Sequence, residues 1–252
     1  VFAGLWERRE VPGAEPLDLR AEATWVQTWV VGGQRQDRFV YRFRTSAPQV
    51  EMTLPDDFEG RPLEVKLDGL TIPANVSDKV LSVALTPTES RQAHTLELRR
   101  QTQQRLAVTV GLGAGFPKLE HAQGSSPVFW QLIVPRDMAV VTTPDGMNGE
   151  YRLGWREWSW GRQPTQSQAD LEKWTSATVA PELPASTNEY LYSAFDSPPH
   201  ANVRLVRRSW LIIAAGAVFM AAALIAIYTK LGRTAGFWLA AIIAAVGTLA
   251  AY

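Results

Sequence analysis

The chain has 252 residues, with 25 Lys and Arg against 25 Asp and Glu, ten Trp and no Cys. Zero Cys excludes a disulfide framework, a thiolate zinc site and a cysteine nucleophile. The balanced charge hides an asymmetry: no acidic residue follows Asp196, whereas Arg204, Arg207, Arg208, Lys230 and Arg233 do, which leaves 20 basic against 25 acidic residues before Arg204 and excludes a strongly basic, nucleic-acid-binding domain.

From the first strand onward the hydrophobic period is two. Ala23, Trp25, Trp29 and Val31 alternate with Glu22, Thr24, Thr28 and Val30; a turn at Gly32 and Gly33 leads into Phe39, Tyr41 and Phe43, alternating with Arg38, Arg42 and Arg44. Such alternation predicts strands half exposed to solvent, with the arginines on the wet side. It returns at Val50–Leu54, Leu63–Leu67, Leu81–Leu85, Leu96–Leu98 and Leu106–Val110, in short runs bounded by Pro48, Pro55, Gly69, Pro73 and Pro87. Residues 1–115 therefore read as an antiparallel β-sandwich, immunoglobulin-like or similar. Gly111, Gly113 and Gly115 read as a flexible turn that closes this region; Phe116 and Pro117 after them rule out the helix a phosphate loop must open.

Residues 116–202 read as a second β-rich, Trp-rich segment, with strands at 128–135 and 139–144 and an aromatic run ending at Arg162. One short helix is predicted at about 168–174, because Ser167 stands where a cap belongs and Asp170 lies three residues on. Pro181, Pro184, Pro198 and Pro199 mark a spacer before residues 203–252. There, two uncharged runs, 210–228 and 235–252, predict a transmembrane helical hairpin, each run being close to the length that crosses a bilayer. Trp210, Tyr228, Lys230, Arg233 and Trp238 are the expected membrane-interface residues. Ala217, Ala221, Gly236, Ala240 and Ala244 form small-residue stripes suited to helix packing, within the hairpin or against other membrane-protein helices. Lys230 and Arg233 favour a cytoplasmic connection and an outside β region; Arg204, Arg207 and Arg208 argue the reverse unless they belong to a strand, as the alternation around Val203 and Leu205 suggests. The sequence begins without Met and ends within an apolar run, which reads as an excerpt of a longer polypeptide.

The densest chemistry is Trp155, Trp158, Trp160 and Arg162. Exposed indoles stack on sugars and Arg reaches anions, although on one continuous strand Trp155 faces away from Trp158 and Trp160, which favours packing or headgroup contact. His94, His121 and His200 lack the spacing of metal ligands. Asp56, Asp57 and Glu59 cluster in a turn that reads as a solvated acidic turn before a Ca²⁺ site. Glu150 and Glu157 fall on opposite faces of a regular strand, and Ser125 and Ser126 lack the nucleophile-elbow sequence. Neither a catalytic set, a metal site nor a cofactor site emerges.

Phe129–Pro135, Val141–Pro144, Gly154–Thr165, Asp170–Trp174, Asn188–Phe195 and Arg208–Trp210 resemble the C-terminal part of large bacterial membrane-anchored proteins without an assigned activity. The resemblance implies a β-rich extracytoplasmic region before terminal transmembrane helices, at the outer surface of the bacterial inner membrane. The sequence expectation is thus a membrane-anchored, non-catalytic interaction or structural protein whose partners are the lipid bilayer and membrane helices. A carbohydrate-binding envelope module acting on polysaccharide through the clustered tryptophans is the second reading.

Overall fold

The computed structural model describes residues 19–86, 92–156, 159–179, 187–198 and 200–228. Its strands are β1 (Leu19–Val31), β2 (Gln34–Thr45), β3 (Gln49–Thr53), β4 (Leu63–Leu67), β5 (Leu70–Ile72), β6 (Asn75–Ser77), β7 (Val80–Ala84), β8 (Gln92–Gln103) and β9 (Thr109–Gly115). They continue as β10 (Lys118–Leu119), β11 (Ala122–Gln123), β12 (Pro127–Pro135), β13 (Met138–Val140), β14 (Asn148–Gly149), β15 (Tyr151–Arg156), β16 (Ser159–Pro164), β17 (Thr187–Phe195) and β18 (His200–Arg207). Helix α1 (Gln168–Thr175) precedes β17, and α2 (Arg208–Tyr228) follows β18 directly. The protein is mainly β.

The long β1–β2 hairpin turns at Gly32 and Gly33, both at positive φ, +60° and +81°, the backbone a two-residue hairpin loop demands. It forms the centre of a sheet ordered β14-β17-β12-β1-β2-β8-β4-β5. Most pairings are antiparallel, but β1 runs parallel to β12, with Thr24 opposite Val128 and Trp29 opposite Ile133, and parallel to β11. The purely antiparallel expectation is corrected here: β12 is a near-continuous apolar run, the pattern of a strand covered on both faces. Smaller sheets, β10-β3-β7-β6 and β13-β18-β9, complete the scaffold.

Two apolar clusters cover the two sides of the central sheet. The larger joins Val26, Phe39, Tyr41, Phe43 and Trp130 to Met52 and Leu81 of the second sheet and to Leu112 and Val203 of the third. The smaller sets Leu171 of α1 against Trp25, Val40 and Leu191, with Phe129 and Trp174 at its edge. Helix α1 starts as expected: the Ser167 side chain accepts from the Asp170 N–H, and Asp170 reaches back to the Ser167 N–H. It ends at Ser176 in the left-handed conformation.

Covering both faces also buries charge. Asp37, with a fully buried side chain, accepts from Arg35 Nε at 2.9 Å, Arg100 Nε at 2.8 Å and Thr28 Oγ1 at 2.9 Å. On the α1 side, Arg38 grips Glu97 through two bonds of 2.9 and 3.0 Å and lies 5.1 Å from the Trp25 ring. The expectation that Arg38 faces water is corrected for a local reason: α1 and the residues after it roof the strand there, and Thr178 Oγ1 donates to Glu97 at 2.7 Å.

The glycine-rich turn is corrected as well. Gly111, Gly113 and Gly115 lie in β9, paired with Arg204, Asn202 and His200 of β18. A Cβ on Gly113 would stand 2.5 Å from Asn202 Oδ1, and one on Gly115 2.7 Å from Pro55. The glycines thus permit close approach within a strand.

Helix α2 opens on Arg208 and Ser209, so its uncharged run begins only at Trp210. Ala217 and Ala221 are exposed, as are Trp210, Ile212, Ile213, Val218, Met220 and Tyr228. Among the described residues no helix is long and apolar enough to cross a membrane, which corrects the expected transmembrane hairpin. Its second helix, with Lys230, Arg233, Gly236, Trp238, Ala240 and Ala244, falls outside the described residues.

Candidate functional site

Where β17 passes the β15–β16 ribbon and the residues after β13, a cleft of about 300 Å³ opens. Tyr190 and Tyr192 reach it from β17, Tyr151 from β15 and Arg162 from β16; Val140–Thr143 close one side. Alternation along β17 puts Tyr190 and Tyr192 on one face. The ribbon register, Tyr151 opposite Pro164 and Leu153 opposite Arg162, brings Arg162 over the Tyr151 ring, 4.8 Å from its centre. Gly149 makes room for that ring, since a Cβ there would stand 2.9 Å from Tyr151 Cε1.

The cleft is rich in donors. Tyr192 is only 7 % exposed, stacks 5.8 Å from Trp130, and its hydroxyl has no hydrogen-bond partner among the described residues. Burial pushes that phenol well above its ordinary pKa; the neighbouring Tyr190 adds to the rise, and the Arg162 charge opposes it. Tyr192 therefore stays a neutral O–H donor. Tyr190 accepts a long 3.4 Å bond from the Val140 N–H, which leaves its own proton to give. Arg162 is exposed and has no ion pair among the described residues. The one carboxylate lining the cleft, Glu189, is already engaged by Gln131 Nε2 at 2.6 Å.

Of the expected ligand residues, Arg162 lines this cleft. Trp155 is 62 % exposed and lies opposite Trp160 across the ribbon, so the single-strand reading of the tryptophans is corrected: the chain reverses between them. Trp158 lies outside the described residues. Sequence reasoning noted Tyr151 beside the aromatic run but missed Tyr190 and Tyr192, although their spacing in a strand was available to find them.

The acidic turn is tied up in ion pairs: Asp56 meets Lys79 at 2.7 Å and Asp57 meets Arg100 at 2.6 Å. His94 Nδ1 lies 2.8 Å from Asp68. Among the described residues no three His, Asp or Glu side chains gather where they could hold a metal ion.

No family model and no curated protein matches the sequence. Among solved structures, the M1 zinc metallopeptidase from Deinococcus radiodurans is similar over 75 % of this chain and 42 % of its own, at 8 % identity and a TM-score of 0.42. Legionella pneumophila aminopeptidase A, in complex with aspartic acid, is similar over 76 % and 22 %, at 7 % and 0.40. Yeast LTA4 hydrolase is similar over 74 % and 29 %, at 9 % and 0.37. The chain spans less than half the length of each. These similarities are too coarse to transfer an activity, and fold alone does not imply one. The expectation of a membrane-anchored, non-catalytic interaction protein is corrected at its anchor: among the described residues no helix is long and apolar enough to cross a membrane. The statement that the chain is not an enzyme, and the carbohydrate-binding reading, are not carried further.

Proposed function

We propose that the chain recognises a small carboxylate-bearing molecule in the tyrosine cleft, as the ligand-binding part of a larger protein. The observation that carries this is the Tyr192 hydroxyl, open to the cleft and without an acceptor among the described residues, beside an Arg162 guanidinium without a counter-ion among them. Three donors around one occupied carboxylate call for a ligand rich in acceptor oxygens. A planar carboxylate matches the guanidinium fork, and the volume is at the lower end of the range for small-molecule sites. Tyr151 offers its ring as a wall for the ligand's apolar part.

Calorimetric titration with benzoate and acetate tests the reading. Binding is expected to weaken about tenfold or more in Arg162→Gln, and severalfold in Tyr192→Phe, which keeps the ring and removes only the hydroxyl. Neither variant is expected to shift the melting temperature by more than a few degrees, since Arg162 is exposed and phenylalanine conserves the packing. Equal binding by all three proteins rejects the assignment.

A further inference from the structure

A second, larger cleft of about 680 Å³ lies away from the tyrosines, between the 3-10 turn Asp56–Phe58, the β6–β7 hairpin and the residues after β17. Two features set it apart from an ordinary surface groove.

The first is backbone strain. The β6–β7 hairpin closes through Asp78 and Lys79, at φ +49° and +66°, between paired Ser77 and Val80. A two-residue turn with positive φ at both positions suits Asn-Gly or Asp-Gly; lysine adopts it at a cost. Across the cleft Asp196 is also left-handed, at φ +76°. Strained side-chain-bearing residues of this kind cluster at binding and catalytic sites, and here Lys79 and Asp196 are both walls of one cleft. Lys79 is held toward Asp56 at 2.7 Å, while its carbonyl accepts from the Leu54 N–H.

The second feature is the floor. Thr24 and Ser126 line the cleft and are only 2 % and 7 % exposed. Neither hydroxyl has a hydrogen-bond partner among the described residues, whereas the neighbouring Tyr41 hydroxyl donates to the Pro117 carbonyl at 2.5 Å. These two hydroxyls border space that a ligand can fill. Around the rim stand Lys118, which has no ion pair among the described residues, and Asp196, whose Oδ1 accepts only from the adjacent Ser197 N–H at 2.9 Å. A cation and an anion without an ion pair among the described residues, in one lining with two hydroxyls, match a molecule carrying both charges.

We propose that this cleft binds a small zwitterion, its carboxylate toward Lys118 and Lys79 and its ammonium group toward Asp196, with Thr24 and Ser126 hydrogen-bonding beneath. The site is independent of the tyrosine cleft and does not rest on it.

The test combines ligand choice with a variant whose two effects have opposite signs. Calorimetry with 4-aminobutyrate, acetate and ethylammonium is expected to give binding at least about tenfold tighter for the zwitterion than for either single-charge probe. Lys79→Gly is expected to raise the melting temperature by a few degrees, because glycine relieves the left-handed strain, while weakening zwitterion binding several-fold. Asp196→Asn is expected to weaken it likewise, and Arg162→Gln to leave it unchanged. In Arg162→Gln protein, whose tyrosine cleft no longer takes carboxylates, acetate binding as tightly as the zwitterion, no binding of any probe, or a further Lys79→Gly change that leaves zwitterion binding as it was would each overturn the proposal. A loss in Arg162→Gln equal to that in Asp196→Asn would place the ligand in the tyrosine cleft instead and would overturn it too.

Discussion

Asp37→Asn is expected to destabilise the fold by about 3–5 kcal/mol, the range for removing one partner of a buried ion pair. Asparagine preserves the shape but not the charge, and Asp37 is the shared acceptor of Arg35 and Arg100, whose side chains are 9 % and 1 % exposed. Asp57 still pairs with Arg100 at 2.6 Å, but Arg35 retains only the Gly113 carbonyl, at 2.7 Å. Because domains of ordinary stability have about 5–15 kcal/mol in total, the variant should lose much of its margin. Urea denaturation reads this as a lowered midpoint at unchanged slope. A loss below about 1 kcal/mol would mean that the network is hydrated in solution.

The second large effect is expected at Glu97, and it depends on pH. Burial works to raise the Glu97 carboxyl, but the hydrogen bonds from Arg38 and Thr178, with the charges of Arg38 and Arg99, outweigh it and hold the group below its usual pKa. A carboxylate depressed in the folded state stabilises fully above its unfolded value, about pH 4.3, and loses that contribution as pH falls through the folded value. Glu97→Gln should therefore cost about 3 kcal/mol at neutral pH, since Arg38 is 4 % exposed and keeps a single carboxylate, Glu172 at 4.0 Å, beside the neutral Thr178 oxygens. The gap between parent and variant should narrow on acidification below about pH 4. Denaturation midpoints at pH 7, 5 and 3 measure it; a gap that widens in acid contradicts the assigned sign.

Much of the scaffold was legible because local rules decide it. Gly32 and Gly33 announce the β1–β2 turn, the alternation around Val203 and Leu205 announces β18, and Ser167 with Asp170 announces the start of α1. The rest was set by contacts distant in sequence. The parallel pairing of β1 with β12 joins residues about a hundred positions apart and leaves no mark on either strand beyond apolarity. Arg38 reads as wet because strand alternation assumes one solvated face, and nothing local says that α1 will roof it. Gly111, Gly113 and Gly115 read as a turn because their reason, Asn202 and Pro55 pressing on β9, lies on other strands. The apolar run of α2 was plain; what that run does was not, and its length alone misled.

The same division holds for the cleft. Arg162 drew notice through its aromatic neighbours in sequence; the ring it covers is Tyr151. Tyr151 comes from β15 and Tyr190 and Tyr192 from β17, and only the ribbon register and the β17 pairing bring them to the cleft that Arg162 lines.

The most direct test of that cleft follows the tyrosine rings by NMR in protein carrying ¹³C-labelled tyrosine, as benzoate is added. The account predicts saturable shifts at Tyr151, Tyr190 and Tyr192, little change at the core residue Tyr41, and loss of the response in Arg162→Gln. Rings that do not respond, or a response that persists without Arg162, would contradict it.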